Sequence, residues 1–288
     1  MNEKLTHYLN KIFAPYDESL RAITDLKQEL LQDLQERIDD LQKQGVDETT
    51  AFRKAVDSLG DIEQTIHDLA ERSQKLQRVV LTNFSKTHLA HSDFRNISVH
   101  DAKFEQCDLR ESDFSHSDLT GSSFKGSDLR KTKFADADLT GANLTGTALS
   151  DVSFSHARLA KADLSASDLR RTVFERADLT GTKLRKVALG SAAVFQDCTL
   201  VQTDFSFSDV SGIHFDNQTL VGVIFDGTGL VRTSFKHATL RNVSFRMISK
   251  RYVRKAVFTG AAMDKVTYAF LKGAGADLDH VTIIKEDA

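Results

Sequence analysis

The chain has 288 residues, with 38 Lys or Arg and 41 Asp or Glu, and its formal net charge is −3. The sequence has no apolar run of about 18 residues, so no membrane-spanning helix is predicted. Two cysteines are too few for a disulfide scaffold. The N-terminal stretch MNEKLTHYLNKIF is too polar for a signal peptide, so we predict a cytoplasmic protein without membrane insertion.

Residues 1–77 have the apolar periodicity of α-helices. A shorter helix is predicted before Pro15, and residues 20–41 form a long helix with apolar residues at steps of three or four. Asp47 is a predicted N-cap for the next helix, which buries Ala51, Ala55, Val56 and Leu59. That helix ends at Gly60, and Asp61 opens a last one. These helices predict a small helical domain.

Residues 20–70 resemble the helical domain of HAAS or permease-prefix type. The matching pattern is a charged helix, a glycine turn, a helix with Glu and Ala, and then Leu59-Gly60-Asp61 before a further helix. In that family the domain precedes membrane permeases or accompanies PadR-type regulators. The resemblance implies a protein–protein contact module in the cytoplasm. A second interpretation stays open, in which Val79, Val80 and Leu81 pack the last helix onto the following repeats as a cap.

From Phe84 a period of five residues replaces the helical period. Large apolar residues, here called centres, recur from Phe84 to Leu189 and, after one extra residue, from Phe195 to Phe245. A small or β-branched residue precedes nearly every centre by two positions, with Gln218 as the conspicuous exception. In an extended segment these two positions point to the same side. Four units of five residues therefore predict a square coil with both positions inside.

This pattern resembles the pentapeptide-repeat family, whose fold is a right-handed quadrilateral β-helix. The resemblance covers Thr82–Phe245 and implies an all-β solenoid. The predicted fold class is thus a small N-terminal helical domain, residues 1–77, followed by a β-helix, residues 78–245. We interpret the extra residue before Phe195 as a one-residue bulge that leaves Phe174 and Phe195 on the same face.

Residues 246–288 are predicted to form a basic excursion and a C-terminal cap. The segment RMISKRYVRK contains no acidic residue and skips two expected centres. It predicts a loop or short helix leaving the solenoid. Phe258, Met263 and Tyr268 then resume the spacing of five, and a short helix and a final strand near Val281–Ile284 are predicted.

Two groups of basic residues are candidates for partner binding. The first follows a repeated Asp-Leu-Arg triplet on one face of the predicted coil, and we call it the charged stripe: Arg110, Arg130, Lys131, Arg170 and Arg171. The stripe is either a solvated ladder of paired charges or a docking surface. The second group lies in the basic excursion and can hold phosphate or an acidic partner, or be solvated: Lys250, Arg251, Arg254 and Lys255.

The sequence offers no constellation for catalysis, for a cofactor or for a metal. Cys107 and Cys198 both precede a centre by two positions and are predicted core residues. His116 and His156 share a column two coils apart, about 10 Å, too far to share a metal. Outward Asp residues on a convex surface have no pocket to change their chemistry.

The leading interpretation is a non-enzymatic interaction scaffold or regulatory adaptor with an unidentified protein partner, bound through residues 1–77. A homodimer is compatible with the sequence. The alternative is a DNA mimic that binds a topoisomerase such as gyrase. Some pentapeptide-repeat proteins have that role, so the resemblance to the family implies it as a possibility for this chain. Residues 78–288 carry a net charge of +3, whereas mimicry requires a strongly acidic surface. Direct nucleic-acid binding is the least favoured class.

Overall fold

The computed structural model describes residues 3–16 and 21–284, with the side chains of 21–22 and 72–81 left aside. The chain divides into two compact units, Met1–Leu81 and Thr82–Ala288, here called the helical unit and the solenoid. The division falls later than the boundary predicted after residue 77, because the last helix continues to Thr82. No helix in the described ranges is long and apolar enough to cross a bilayer.

The helical unit contains the predicted helices. They are α1 (Glu3–Phe13), α2 (Arg21–Lys43), α3 (Glu48–Asp57) and α4 (Ile62–Thr82). The chain leaves α2 through Gly45, whose φ of 86° favours glycine. Asp47 caps α3 as predicted, because its side chain accepts a hydrogen bond from the Thr50 backbone N–H at 3.0 Å.

A hydrophobic core joins the helices of this unit. It includes Leu9, Phe13, Leu34, Ile38 and Ala55, all buried. The prediction for α3 was partly wrong: Ala51 and Ala55 are buried, but Val56 and Leu59 are only half-buried at the edge of the helix. The predicted contribution of Leu20 and the predicted capping contact of Val79, Val80 and Leu81 lie outside the described residues and side chains.

Each pentapeptide of the solenoid is one short extended segment followed by a turn. The Phe124 N–H donates to the Asn143 carbonyl at 2.7 Å, and the Asn143 N–H donates to the Ser122 carbonyl at 2.9 Å. Residues 20 apart thus pair as parallel strands, as in the bridge between Ser123 and Asn143. The turn is closed by the Ser127 N–H on the Phe124 carbonyl, with Gly126 at φ 69° as a type II turn requires.

The centres fill the solenoid core as predicted. Phe rings in one column stack, with centroids 5.2 Å apart between Phe114 and Phe134. Rings from the opposite Phe column meet them edge to face, as Phe114 and Phe124 do at 5.7 Å. Both arrangements are the favourable geometries for aromatic pairs. The four-sided coil therefore carries two interlocked aromatic columns.

The one-residue slip is a bulge, as predicted. The rings of Phe174 and Phe195 stack with centroids 4.8 Å apart, so they occupy the same face. Val173 pairs with Val194 across the same point. The extra residue is absorbed in the chain between Leu189 and Phe195, and the core continues through it.

The end of the solenoid has a regular sheet. It is a parallel sheet in the order β1 (Leu200–Val201), β2 (Thr219–Val221), β3 (Thr239–Arg241), β4 (Ala262–Met263) and β5 (Thr282–Ile283). Two helices interrupt it, α5 (Lys250–Val253) and α6 (Lys265–Ala274).

The C-terminal segment continues the solenoid core beyond residue 245. Phe258 stacks on Phe235 at 5.2 Å, and Met263 pairs with Leu240. Tyr268 does not act as a further centre, contrary to the spacing of five, because it lies on α6 after the Asp264 N-cap. The predicted short helix and final strand are present as α6 and β5.

Candidate interaction surfaces

Inward polar residues tie successive coils together. The hydroxyl that precedes a centre by two positions donates to the carbonyl of a centre in the preceding coil. Examples are Ser112 to Leu89 at 2.7 Å, Thr132 to Leu109 at 2.8 Å and Thr233 to Val210 at 2.9 Å. Such bonds matter because an unsatisfied buried carbonyl is costly. We call this set the inner ladder.

The two cysteines belong to the inner ladder, as their predicted inward position requires. The Cys107 thiol contacts the Phe84 carbonyl at 2.9 Å, and the Cys198 thiol contacts the Phe174 carbonyl at 2.7 Å. Burial raises the pKa of Cys198 to about 12. Since the thiolate is the reactive form, this side chain acts as a core group.

Gln218, the exception in the sequence pattern, makes the two hydrogen bonds that a hydroxyl makes elsewhere in the inner ladder. Its side-chain amide donates to the Phe195 carbonyl, and its Oε1 accepts the Cys198 N–H at 3.3 Å. Ser127 does the same with the Phe104 carbonyl and the Cys107 N–H. A longer amide thus replaces a hydroxyl, and the residue is only 7% exposed.

We expect Gln218→Ala to lower the free energy of unfolding by about 1–3 kcal/mol, because it leaves a buried carbonyl and a buried N–H without a partner. Urea unfolding followed by circular dichroism measures the change. The matched control is Gln196→Ala, at an exposed position of the neighbouring segment, where a change within about 0.5 kcal/mol is expected. Equal effects of the two substitutions would contradict the ladder role.

Every cation of the charged stripe is paired with a carboxylate. In Arg110, Nε lies 2.8 Å and Nη2 2.7 Å from the two Asp108 oxygens. Arg130 with Asp128 and Arg170 with Asp168 repeat this bidentate geometry within their own coils.

The two other members of the stripe pair between coils. Arg171 holds Asp151 at 2.6 and 2.7 Å, and Lys131 reaches Glu111 at 3.0 Å. The structure therefore agrees with a ladder of paired charges along this face.

The pairing also fixes the ionisation of the carboxylates. The hydrogen bonds from the Arg110 side chain hold the pKa of Asp108 far below its usual range. The Arg130 and Arg170 guanidiniums lower the pKa of Asp128 and Asp168 in the same way. These side chains are solvent-accessible, so each pair adds little stability. Near neutral pH the stripe presents alternating, compensated charges.

The five stripe residues surround a shallow depression of about 600 Å³. Its floor lies where the repeated triplet is replaced by Ala148-Leu149-Ser150, so one coil lacks both the Asp and the Arg. The missing triplet between residues 130 and 168 was visible in the sequence. The repeated triplets predicted the stripe, but this depression was not predicted.

The basic excursion differs from the stripe: its Arg246 pairs with Asp226, but four other cations have no carboxylate within 4.0 Å among the described residues. This holds for Lys250, Arg251, Arg254 and Lys255, all of them exposed. Arg254 lies close to Gly275, the residue that ends α6 at φ 83°, because a Cβ added at that glycine would lie 3.0 Å from the Arg254 Nε. Arg254 therefore lies against the C-terminal end of α6.

Acidic and histidine side chains pair without forming a metal site. His116 lies 3.8 Å from Asp136, in the column that continues to His156. Across the described ranges, no three His, Cys, Asp or Glu side chains are arranged to hold a metal ion.

Comparison with known protein families identifies the type of repeat in the solenoid. The family model described as pentapeptide repeats matches eight copies over residues 107–146 and 147–186. A search of curated proteins gave no match.

Solved structures of three repeat proteins are similar to this chain. HetL, a pentapeptide repeat protein from the cyanobacterium Nostoc sp., is 22% identical, covering 66% of this chain and 95% of its own, with a TM-score of 0.40. Rfr23 from the cyanobacterium Cyanothece is 18% identical, covering 43% of this chain and 99% of its own, with a TM-score of 0.38.

Full-length QnrB1, a plasmid-mediated fluoroquinolone resistance protein, is 17% identical, covering 66% of this chain and 98% of its own, with a TM-score of 0.27. These values identify neither a partner nor an activity for this chain. The family match to residues 107–186 agrees with the stacked coils and their inward ladder. By this match residues 107–186 are pentapeptide repeats, and they lie in the solenoid that follows the helical unit along the chain.

Proposed function

We propose that this protein is a non-enzymatic interaction scaffold that acts as a regulatory adaptor in the cytoplasm. The observation that carries the proposal is the arrangement of the solenoid surface. Outward side chains stand in fixed columns on a core whose buried side-chain polar atoms, where described, are all hydrogen-bonded. Such a surface presents side chains at constant spacing and suits recognition of another protein.

We further propose that the helical unit selects the partner. Its resemblance to the HAAS type implies a contact module, and residues 1–77 carry a net charge of −6. The unit also has a hydrophobic core of its own, which a mere cap of the first coil does not need. A separate small domain with its own core is a typical carrier of a binding surface.

The direct test uses the two units as separate baits. Residues 1–81 and residues 82–288 are immobilised and incubated with lysate, and bound proteins are quantified by mass spectrometry. We expect a partner captured by the full chain to be captured by residues 1–81 and not by residues 82–288. Capture of that partner by the solenoid alone contradicts the assignment to the helical unit.

The DNA-mimic alternative predicts a different surface. A mimic needs rows of unpaired carboxylates, whereas Asp108, Asp128 and Asp168 are each held by an arginine of their own coil. The paired geometry therefore supports the scaffold over the mimic.

We expect the purified protein not to inhibit DNA supercoiling by gyrase at modest concentration, because the Asp column of the charged stripe is paired with arginines. A gel-based supercoiling assay measures this. Replacing Arg110, Arg130 and Arg170 with Gln in one variant is the matched comparison, since it uncovers the three Asp side chains. Potent inhibition by the unmodified protein would reverse the ranking of the two functions.

A further inference from the structure

Two large apolar side chains stand exposed at corners of the solenoid. The corner residue of each pentapeptide follows its centre by two positions and has a positive φ. Among the described corners, most residues are Gly or polar. Phe207 at φ 59° and Met247 at φ 56° are the large apolar exceptions. They are 48% and 71% exposed. A bulky side chain in this conformation is unusual, and such outliers cluster at functional sites.

Phe207 and Met247 belong to one column, with Gly227 between them. The Phe207 N–H donates to the Asp226 carbonyl at 2.9 Å, and the Gly227 N–H donates to the Arg246 carbonyl at 2.8 Å. A Cβ at position 227 would lie 2.8 Å from Cδ1 of Phe207, so the ring lies directly on the glycine. Strand spacing puts the two apolar residues about 10 Å apart. We call these three residues the apolar ridge.

The basic excursion borders this ridge on one side. Met247 lies within the excursion, three positions before Lys250. The Arg232 N–H donates to the Lys255 carbonyl at 3.1 Å, which places Lys255 above Arg232 in the next corner column. Lys250 and Arg251 therefore leave the solenoid between the Met247 corner and the Lys255 corner. Like these residues, the exposed Arg232 has no carboxylate within 4.0 Å among the described residues.

The other side of the ridge is electrostatically different. There Arg246 holds the buried Asp226 at 3.0 Å, and Arg185 lies 3.5 Å from Asp204. On the excursion side Lys250, Arg251 and Lys255 thus have no carboxylate within 4.0 Å among the described residues, whereas Arg246 and Arg185 on the other side are paired. This combination fits a ligand that has an apolar face bordered by carboxylates.

We propose that the apolar ridge and the basic excursion together dock an acidic amphipathic helix of a partner protein. Apolar residues seven positions apart on a helix are about 10.5 Å apart on the same side, which matches the ridge. Carboxylates on the flank of that helix pair with Lys250, Arg251 and Lys255, and such complementarity sets orientation and association rate. The inference rests on the proposed function as a scaffold, and adds a second surface to it.

The chemistry of the ridge argues for this occupant over others. A nucleic acid is a poor fit, because exposed Phe and Met side chains do not bind its phosphate backbone. Stacking of its bases uses a series of aromatic side chains along a basic groove, whereas the ridge has one aromatic side chain. Among the described residues, a second copy of the chain offers no fitting helix. The apolar side chains described in α1, α2, α3 and α4 pack in their own core, and α6 exposes apolar residues but carries no Asp or Glu. The partner helix therefore comes from another protein.

The test uses the full-length protein and a fluorescent helical peptide of five turns, about 18 residues. The peptide carries Leu at positions seven apart and Glu on the flanking face. A second peptide has the same composition but a different Leu spacing. A third peptide keeps the Leu positions and has Lys in place of Glu. By fluorescence anisotropy we expect the first peptide to bind at least about tenfold tighter than either of the two control peptides. Its binding should also weaken as the salt concentration rises.

The variant Phe207→Asn, Met247→Asn separates docking from a structural role. Asn tolerates a positive φ, so we expect an unchanged or higher Tm together with at least about tenfold weaker peptide binding. The matched control is Lys186→Asn, in the same corner column, which leaves binding unchanged. Lys250→Gln with Arg251→Gln should weaken binding and flatten its salt dependence.

Several outcomes overturn the inference. They are absence of peptide binding, equal binding of the three peptides, unchanged binding by the Asn variant, and a lower Tm of that variant. Tighter binding of a single-stranded oligonucleotide, or self-association of the chain that the Asn variant abolishes, also overturns it. Partner capture by residues 1–81 is measured in parallel. If residues 1–81 still capture the partner while no peptide binds, this inference fails and the proposed function stands. If the peptide binds while residues 1–81 capture no partner, the docking surface stands and the proposed role of the helical unit fails.

Discussion

Phe225→Ala is expected to lower the free energy of unfolding by about 3–5 kcal/mol, the range for removing a fully buried phenylalanine. Its ring stacks between Phe205 and Phe245, with centroids 5.2 and 5.4 Å away. It also meets Phe215 and Phe235 edge to face, each at 5.6 Å. One substitution therefore removes contacts to both Phe columns.

The backbone around Phe225 gives the cavity little chance to collapse. Its N–H donates to the Ser244 carbonyl at 2.8 Å, and Ile224 pairs with both neighbouring coils. Each coil is thus held at strand spacing by hydrogen bonds that do not involve the ring. The cost of a cavity rises with the volume that stays unfilled, so a value in the upper part of the range is expected.

Urea unfolding at neutral pH, followed by circular dichroism, measures this change. Phe270→Ala is the matched control, because that ring on α6 is 41% exposed and its loss should matter far less. A difference of less than about 1 kcal/mol between the two variants would contradict the claim that the aromatic columns hold the solenoid together.

The period of five was sufficient to predict the coil, because alternate residues of an extended segment point to one side. It placed the centres inside, put Cys107 and Cys198 at inward positions, and predicted that Phe174 and Phe195 share a face. The helical periodicity was sufficient for the helices of the first unit in the same way. In each case a local steric rule acts on every repeat.

The sequence could not show how individual polar side chains are paired. Gln218 breaks the pattern of small residues, and only the structure shows that its amide makes the two bonds of a hydroxyl. The repeated triplet likewise did not predict that Arg110, Arg130 and Arg170 each bind the Asp of their own coil with two hydrogen bonds. Side-chain pairing depends on rotamers and on distances between coils, and residue order does not encode either directly.

The corner conformation was also missed. The position of each repeat that has a positive φ was not predicted from the sequence. Without that position, Phe207 and Met247 look like ordinary apolar residues beside the centres. In the structure they are strained, exposed and in one column. The signal was present as one position per repeat that is mostly Gly, Asn, Asp, His, Lys or Arg.

Deleting residues 1–60 tests the central claim, that the helical unit selects the partner and the solenoid is its support. The truncated chain keeps Asp61–Thr82, most of which is α4, so a helix remains before the first coil. The coils make their own hydrogen bonds and aromatic contacts, so we expect the solenoid to stay folded. Its β-rich circular dichroism and its melting should match those of the full chain.

The measurement is the amount of partner captured by the truncated chain relative to the full chain, at equal bait. We predict a loss of at least about tenfold, because the deletion removes α1, α2 and α3 and with them the proposed contact surface. Undiminished capture by the folded truncated chain would contradict the account, and would show that the helices before α4 serve the solenoid rather than the partner.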